Sequence, residues 1–250
     1  MKKILIIPLV LFCLNIVYSQ DRKPEIELKY KAKVTEEERF HNDWPHLERY
    51  RDENLQIGLP AKDVKRVVFM GNSITEGWSN ICPDFFSGKP YINRGISGQT
   101  TPQMLVRFRQ DVINLKPYVV IINAGVNDIA GNTGFSTLEM IEDNISSMAE
   151  IAKSNGIQVI IASVLPAFDF PWNPGLKPAE KIASLNVWLK NYSLINKLVY
   201  LDYYSAMVDE RKGLNSKFSE DGVHPNEAGY KVMGPLAEKA ISLALQSQLK

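Results

Sequence analysis

Cysteine is nearly absent from this chain: Cys13 and Cys82 are the only two, and Cys13 lies in a segment that reads as a removable leader. An oxidising compartment would then offer Cys82 no internal partner, so a disulfide framework is excluded and Cys82 reads as a small buried hydrophobe. Histidine is scarce too. Of the three, His41 and His46 stand without a cysteine or carboxylate cluster at ligand spacing, which argues against a metal centre. A charge excess of either sign is also missing: 29 Lys plus Arg face 28 Asp plus Glu, for a net charge of +1. A nucleic-acid partner would call for a basic excess or stripe, so that class is set aside. No internal repeat, low-complexity stretch or G-x-x-x-x-G-K-[ST] phosphate loop occurs.

What is present points to one sizeable domain. A chain of 250 residues, 45% hydrophobic and 23% charged, buries a full core without disulfides or metals. The first residues differ from the rest. Lys2 and Lys3 precede an apolar run from Ile4 to Val17, with Ser19 before the charged stretch that opens at Asp21. That layout predicts a signal peptide over 1–19, cut after Ser19, and hence a secreted or periplasmic protein with no stable membrane insertion after cleavage. The run is short for a membrane span, and Phe12 before Cys13 does not suit a lipobox. Residues 20–62 are rich in charge, and Trp44, Leu47, Tyr50 and Leu55 recur at roughly helical spacing. They predict an extended arm leading into a docked helix, with His41 and His46 on its surface.

From residue 63 to 250, short β-branched runs alternate with longer amphipathic stretches, the pattern of a parallel α/β sheet. Strands are predicted at Arg66–Met70, Tyr91–Asn93, Val119–Asn123, Gln158–Val164 and Leu198–Asp202. One helix follows Thr101 and Pro102, a cap and first position, with Leu105, Phe108, Val112 and Leu115 on one face. Another starts at Thr137 and stops at Gly156. Two more follow Pro178 and Pro225. Five strands with helices between them predict a three-layer α/β/α, flavodoxin-like domain with an N-terminal helical extension and a ligand site at the carboxyl ends of the strands.

Four segments fall on that rim. Met70-Gly71-Asn72-Ser73-Ile74-Thr75-Glu76-Gly77 follows the first strand, where a serine hydroxyl is exposed and its own N–H faces a ligand. Taken alone, Ser73 reads equally as a helix cap. Asp221-Gly222-Val223-His224-Pro225-Asn226 precedes the last helix, and its spacing supplies a base and an orienting acid from one loop. Alone, it too reads as a cap. Asn93-Arg94-Gly95-Ile96-Ser97-Gly98-Gln99-Thr100 and Ala124-Gly125-Val126-Asn127-Asp128 follow the second and third strands. Each offers donors suited to a developing oxyanion, though each alone is an ordinary turn.

Together, and in this order, the four segments resemble the blocks of the GDSL hydrolases, also called SGNH hydrolases, from Lys65 to about Leu245. The resemblance implies Ser73 as nucleophile and Asp221 and His224 as its acid and base. It also implies an oxyanion hole made of the Ser73 N–H, the Gly98 N–H and the Asn127 side chain, with Gly95 shaping the turn. Asn72 stands where the family usually has Asp. No G-x-S-x-G elbow of the larger α/β-hydrolases occurs.

Membership implies a serine ester hydrolase that needs no cofactor or metal. Among its members, the sequence looks closest to platelet-activating-factor acetylhydrolase-like enzymes and exported carbohydrate acetylesterases. The loop from Pro166 to Pro178 is dense in aromatics and proline. Phe168 and Trp172, with Trp78 just past the nucleophile, are the candidate substrate contacts, read equally as inward-packed aromatics. An acetyl ester on a glycan is the expected substrate. Lysophospholipase or thioesterase activity is the alternative within the family, and a catalytically silent glycan-binding module the alternative outside it.

Overall fold

In the computed structural model, which describes residues 35–246, the predicted signal peptide and residues 20–34 of the arm lie outside the described part. Two compact units divide the chain, 1–42 and 43–250. Of the first, helix α1 (Glu36–Asn42) is described. The second runs α2 (Arg51–Ile57), β1 (Val67–Gly71), α3 (Ser73–Ile81), β2 (Tyr91–Gly95), α4 (Thr101–Asp111), β3 (Val119–Asn123), α5 (Val126–Ile129), α6 (Leu138–Ser154), β4 (Gln158–Ala162), α7 (Ala179–Ile195), β5 (Val199–Leu201), α8 (Tyr204–Met207) and α9 (Glu227–Gln246).

The β-branched runs form the sheet because both of its faces are covered. Every residue of β1 and β3 is buried, as parallel strands flanked by helices on both sides require. All five strands are parallel, in the order β2-β1-β3-β4-β5. Right-handed crossovers put α3 on one face and α4, α6 and α7 on the other, and α9 returns to the α3 face, where the Tyr230 hydroxyl donates to the Ile74 carbonyl at 2.9 Å. Strand order reverses at β1, so the crevice between β1 and β3 is the switch point at which such sheets hold ligands. Gly71 closes β1 in register with Gly95 of β2 and Asn123 of β3.

β1 is displaced by one residue to Val67–Gly71 and β5 is shorter by one residue at each end, Val199–Leu201; four further predicted boundaries shift for physical reasons. β2 continues to Gly95. A Cβ there would lie 2.1 Å from the Glu76 amide nitrogen, so glycine is what lets β2 run beneath the start of α3. β4 stops at Ala162 rather than Val164, because side chains replace the ladder. The Ser163 hydroxyl accepts the N–H groups of Tyr203 and Tyr204 at 2.9 Å each, and the Asn186 amide takes both backbone groups of Val164. The Thr101 helix is capped one residue earlier, since Gln103 Oε1 accepts the Thr100 N–H at 3.0 Å while Thr101 gives its N–H and hydroxyl to Asp128. That helix also ends at Asp111, with a 3-10 turn over Ile113–Leu115.

The predicted helix through Trp44 and Leu55 is interrupted. Pro45 removes a backbone donor and His46 takes a positive φ of 58°, so His46 sits in a turn and not on a helix surface. Regular helix resumes at Arg51. Cys82 is half-buried at the end of α3, not in the core, and burial pushes its thiol up.

Beneath the carboxyl edge of the sheet lies Arg107 of α4, with no exposed surface. Its Nη1 pairs with Asp111 at 2.9 Å, its Nη2 donates to the carbonyls of Gly71 (3.0 Å) and Arg94 (2.9 Å), and its Nε donates to Gln99 Oε1. Arg94, equally buried, reaches outward to Glu53 at 2.9 Å and Asn54 at 3.0 Å. A buried ion pair gains little over apolar packing of the same shape, but breaking one half strands the other charge. Replacing Arg107 with Met should therefore cost about 3–5 kcal/mol, read as a lower urea midpoint at unchanged slope. A loss below about 1 kcal/mol would mean that the network is not a fold determinant.

Candidate active site

Ser73 is the first residue of α3, immediately beyond β1. Asn72 caps the helix from a fully buried position: its Oδ1 accepts the Ile74 N–H at 3.1 Å, while its Nδ2 has no partner among the described residues. The half-buried Ser73 hydroxyl faces the rim, and its Oγ lies 3.0 Å from His224 Nε2, across 151 residues of sequence.

The partner loop organises itself locally. Asp221 Oδ1 accepts the N–H groups of Val223 (2.9 Å) and His224 (2.8 Å) and the Ser219 hydroxyl (3.1 Å). Its other oxygen, Oδ2, lies 2.6 Å from His224 Nδ1. With Nδ1 protonated toward Asp221, Nε2 is left free to accept from Ser73, which is the tautomer a base needs. Partial burial raises the Asp221 carboxyl, but the His224 ring and the two backbone N–H groups outweigh it and bring its pKa down to about 2. The loop thus carries a fixed carboxylate at any pH near neutrality.

Donors line the opposite side. Gly98 has φ +77°, which suits glycine, and sits on an exposed turn whose neighbours are tied down. The Ser97 N–H donates to Glu76 Oε2 at 2.9 Å and the Gln99 N–H to the Ile96 carbonyl at 3.3 Å. The Gly98 N–H takes no part in these bonds. Asn127, buried at the start of α5, gives one N–H of its side-chain amide to the Gln99 carbonyl at 2.9 Å, leaving the second for a ligand. Ser73, Gly98 and Asn127 follow the adjacent strands β1, β2 and β3, so their donors occupy one stretch of rim.

The aromatic candidates separate. Trp172 is 45% exposed, its ring centroid 5.9 Å from that of His224. It stacks on buried Phe170 and donates from Nε1 to Asn132 Oδ1 at 3.3 Å. Asn132 in turn donates to the Gly98 carbonyl at 3.2 Å. Phe168, half-exposed, lies under the Arg211 guanidinium. Trp78 does not reach the rim. It is 2% exposed, stacked on Phe85 and Tyr230 beneath α9, and the expectation that it contacts substrate is corrected: it belongs to the core. The Ile74–Trp78 spacing is an i, i+4 apolar pair, the signal that marks the inner face of α3.

Several residues of the rim were not singled out from sequence. Glu76 fixes Ser97, Asp128 pins Thr101 from a buried site where desolvation pushes its carboxyl up, and Gln99 and Asn132 hold the donor turn. Each is an ordinary turn or helix residue by type, and only its partner distinguishes it.

Comparison with known proteins identifies the family. An acetylxylan esterase of Xylanibacter ruminicola is 28% identical over 241 residues, covering 77% of this chain and 48% of that protein. The chain thus spans about half the length of that curated relative. A GDSL-like lipase of Bacteroides thetaiotaomicron has a solved structure with TM-score 0.79 and 51% identity, over 81% of this chain and 100% of that one. A candidate acylhydrolase of Bacteroides fragilis gives TM-score 0.80 and 54% identity, over 81% and 99%. The profile of the GDSL-like Lipase/Acylhydrolase family matches residues 69–232, from the first strand through the loop of Asp221 and His224 into the last helix, and the chain belongs to that family.

Proposed function

We propose that the protein is a serine ester hydrolase in which Ser73 is the nucleophile, His224 the base and Asp221 the acid that orients it. The observation that carries this reading is the continuous relay from Asp221 Oδ2 to His224 Nδ1 (2.6 Å) and from His224 Nε2 to Ser73 Oγ (3.0 Å). Ser73 Oγ attacks the ester carbonyl as its proton passes to Nε2. The carbonyl oxygen, now negative, is met by the N–H groups of Ser73 and Gly98 and the free amide N–H of Asn127. The imidazolium then protonates the departing alcohol and leaves an acyl-Ser73. A water, deprotonated by the same imidazole, releases the acid.

The reading extends to the substrate. An exposed indole beside the base suits a sugar face, and the Xylanibacter ruminicola relative is named for acetylxylan. Both favour small acyl, chiefly acetyl, esters on a glycan over lysophospholipid or acyl-thioester substrates. The leader read at 1–19 supports action outside the cytoplasm, and no helix among the described residues is long and apolar enough to cross a membrane.

Replacing Ser73 or His224 by Ala should lower kcat on an activated acetate ester by about 10⁴-fold or more, and the double variant should be hardly worse than either single. A fluorophosphonate probe should add its mass to Ser73 alone. Turnover by Ser73→Ala above a few per cent of wild type, with an intact melting curve, would end the assignment. Asn127→Ala should lower kcat by about 10²–10³ with KM nearly unchanged. A raised KM at constant kcat would instead make Asn127 a substrate-positioning group.

Asp221 also predicts a pH signature. Its folded pKa, about 2, lies below the ordinary 3.8, so its stabilising contribution is complete above the ordinary value and fades as pH falls toward the folded one. Asp221→Asn cannot gain that contribution. The difference in urea midpoint between wild type and this variant should narrow as pH falls from the ordinary value toward the folded one. A difference that widens on acidification would refute the shift.

A further inference from the structure

Beside the relay, on the Asp221 face, lies a cavity of about 260 Å³ between the loop at 168–174 and the chain at 211–222. The reaction directs part of the substrate toward it. His224 hands its proton to the leaving oxygen, so the alcohol departs on the His224 side, away from the donors of Gly98 and Asn127. Trp172 covers the space next to His224, and Asp221 and Gly222, from the same loop as the base, wall the cavity beyond.

Its chemistry is that of a sugar site. The volume falls just short of the roughly 300–1,000 Å³ that drug-sized ligands occupy, which leaves room for one ring. Phe168 presents a half-exposed aromatic face. Its approach to the opposite wall depends on Gly213, where a Cβ would stand 2.9 Å from that of Phe168. Arg211 spans the Phe168 ring at 5.3 Å and gives Nε (3.2 Å) and Nη2 (3.1 Å) to Asp209, so Nη1 remains to donate to hydroxyls. Asp169 lines the cavity as an acceptor, its carboxyl held below the ordinary range by the Gly175 N–H. Counting charge, Asp169, Asp209 and Asp221 stand against Arg211 alone, since nearby Lys212 is already paired with Glu180. An anionic alcohol would meet a surplus of carboxylates.

We propose that this cavity is a subsite for an uncharged sugar ring adjoining the esterified unit, with Phe168 as its stacking face and Arg211 and Asp169 as hydroxyl partners, and that it rejects alcohols bearing carboxylate or phosphate. The proposal rests on the ester hydrolase reading for its role, but not for its test. Methyl β-glucoside and methyl β-glucuronide have the same ring and differ only in a neutral or anionic group at C6, and binding of each to the full-length Ser73→Ala protein can be followed by ligand-observed NMR without turnover. The glucoside should bind with a millimolar Kd, and the glucuronide about tenfold more weakly at low ionic strength. In high salt, where the screening length shrinks to a few ångströms, that gap should close to about threefold or less.

Arg211→Ala and Phe168→Ala should each weaken glucoside binding at least fivefold, and Asp169→Asn, which keeps an acceptor for Gly175, should narrow the discrimination. Equal affinity for both ligands at low salt, no binding of either at tens of millimolar, or Arg211→Ala and Phe168→Ala variants that melt normally and bind as before would each overturn the subsite. Hydrolysis of 4-nitrophenyl acetate by the wild-type protein is the separate arm. Its absence would remove the esterase reading, while the glucoside and glucuronide pair would still decide the subsite.

Discussion

The rim depends on one buried guanidinium. Arg107 has no access to water, so every donor it carries must be met inside the protein. The acceptors it finds are the end of β1 at Gly71, the end of β2 at Arg94, the side chain of Gln99 in the next turn, and Asp111 on its own helix. Gly71 stands two residues before Ser73 and Gln99 one residue after Gly98. The Gln99 carbonyl accepts from Asn127. Three loops from three strands therefore share a single planar, rigid hub. In the proposed mechanism, the cost of arranging donors around the oxyanion is then met when the protein folds, which is the condition under which such donors accelerate a reaction rather than merely bind its substrate.

The proposed base and its acid are built differently. Asp221 and His224 are three residues apart, and Asp221 binds two N–H groups of its own loop together with the Ser219 hydroxyl. That half of the relay is local and keeps its geometry without help from the sheet. Bringing it to Ser73 requires α9, whose Tyr230 reaches the Ile74 carbonyl one residue beyond the nucleophile. A helix-to-helix bond on one face of the sheet thus sets a distance on its rim. Trp78, stacked against Tyr230, serves the same joint from within the core and has no part in substrate contact.

Much of this was legible in the sequence, for reasons that separate the cases. The strands of the centre are β-branched runs buried on both faces, and β3 was placed to the residue. Thr137, Gly156 and Pro178 mark helix ends because each acts through its own backbone position. The four candidate segments are legible as short motifs, three after strands and one before the last helix, and the fold collects such ends on one edge. Arg107 was not, because a charged residue on an amphipathic helix reads as solvent-facing unless one knows that strand-end carbonyls wait beneath it. The side-chain spacing of Trp44 to Leu55 predicts one helix, but Pro45 breaks the backbone pattern whatever its neighbours. Trp78 was drawn toward the site by nearness in sequence to Ser73, although its i, i+4 relation to Ile74 points inward.

The segment that the sequence grouped with the arm has a role that follows from its bonds. Gln99 and Gln103 donate from their side-chain amides to the carbonyls of Pro45 and Trp44, and Gln110 does the same to Leu47. These bonds read the backbone of the segment and not its side chains, so its sequence is free to vary wherever its path is kept. Arg49, Tyr50, Glu53 and Asn54 are the exceptions: Arg49 pairs with Glu76, and the Asn54 side chain bonds to Arg94 and Asp111. The Tyr50 hydroxyl donates to the Gly95 carbonyl and its ring packs on the Arg94 guanidinium at 4.4 Å, while Glu53 pairs with Arg94. Gly95 and Arg94 close β2, and the Arg94 carbonyl is one of the acceptors of Arg107. The segment therefore closes the outer side of the same hub, covering polar groups that the sheet edge would otherwise expose to water. Because Gln99 bonds to Pro45 through its amide nitrogen and to Arg107 through its amide oxygen, one side chain joins cover, hub and donor turn. Removal of the segment would act on the proposed oxyanion donors through Gln99, the side chain that touches both.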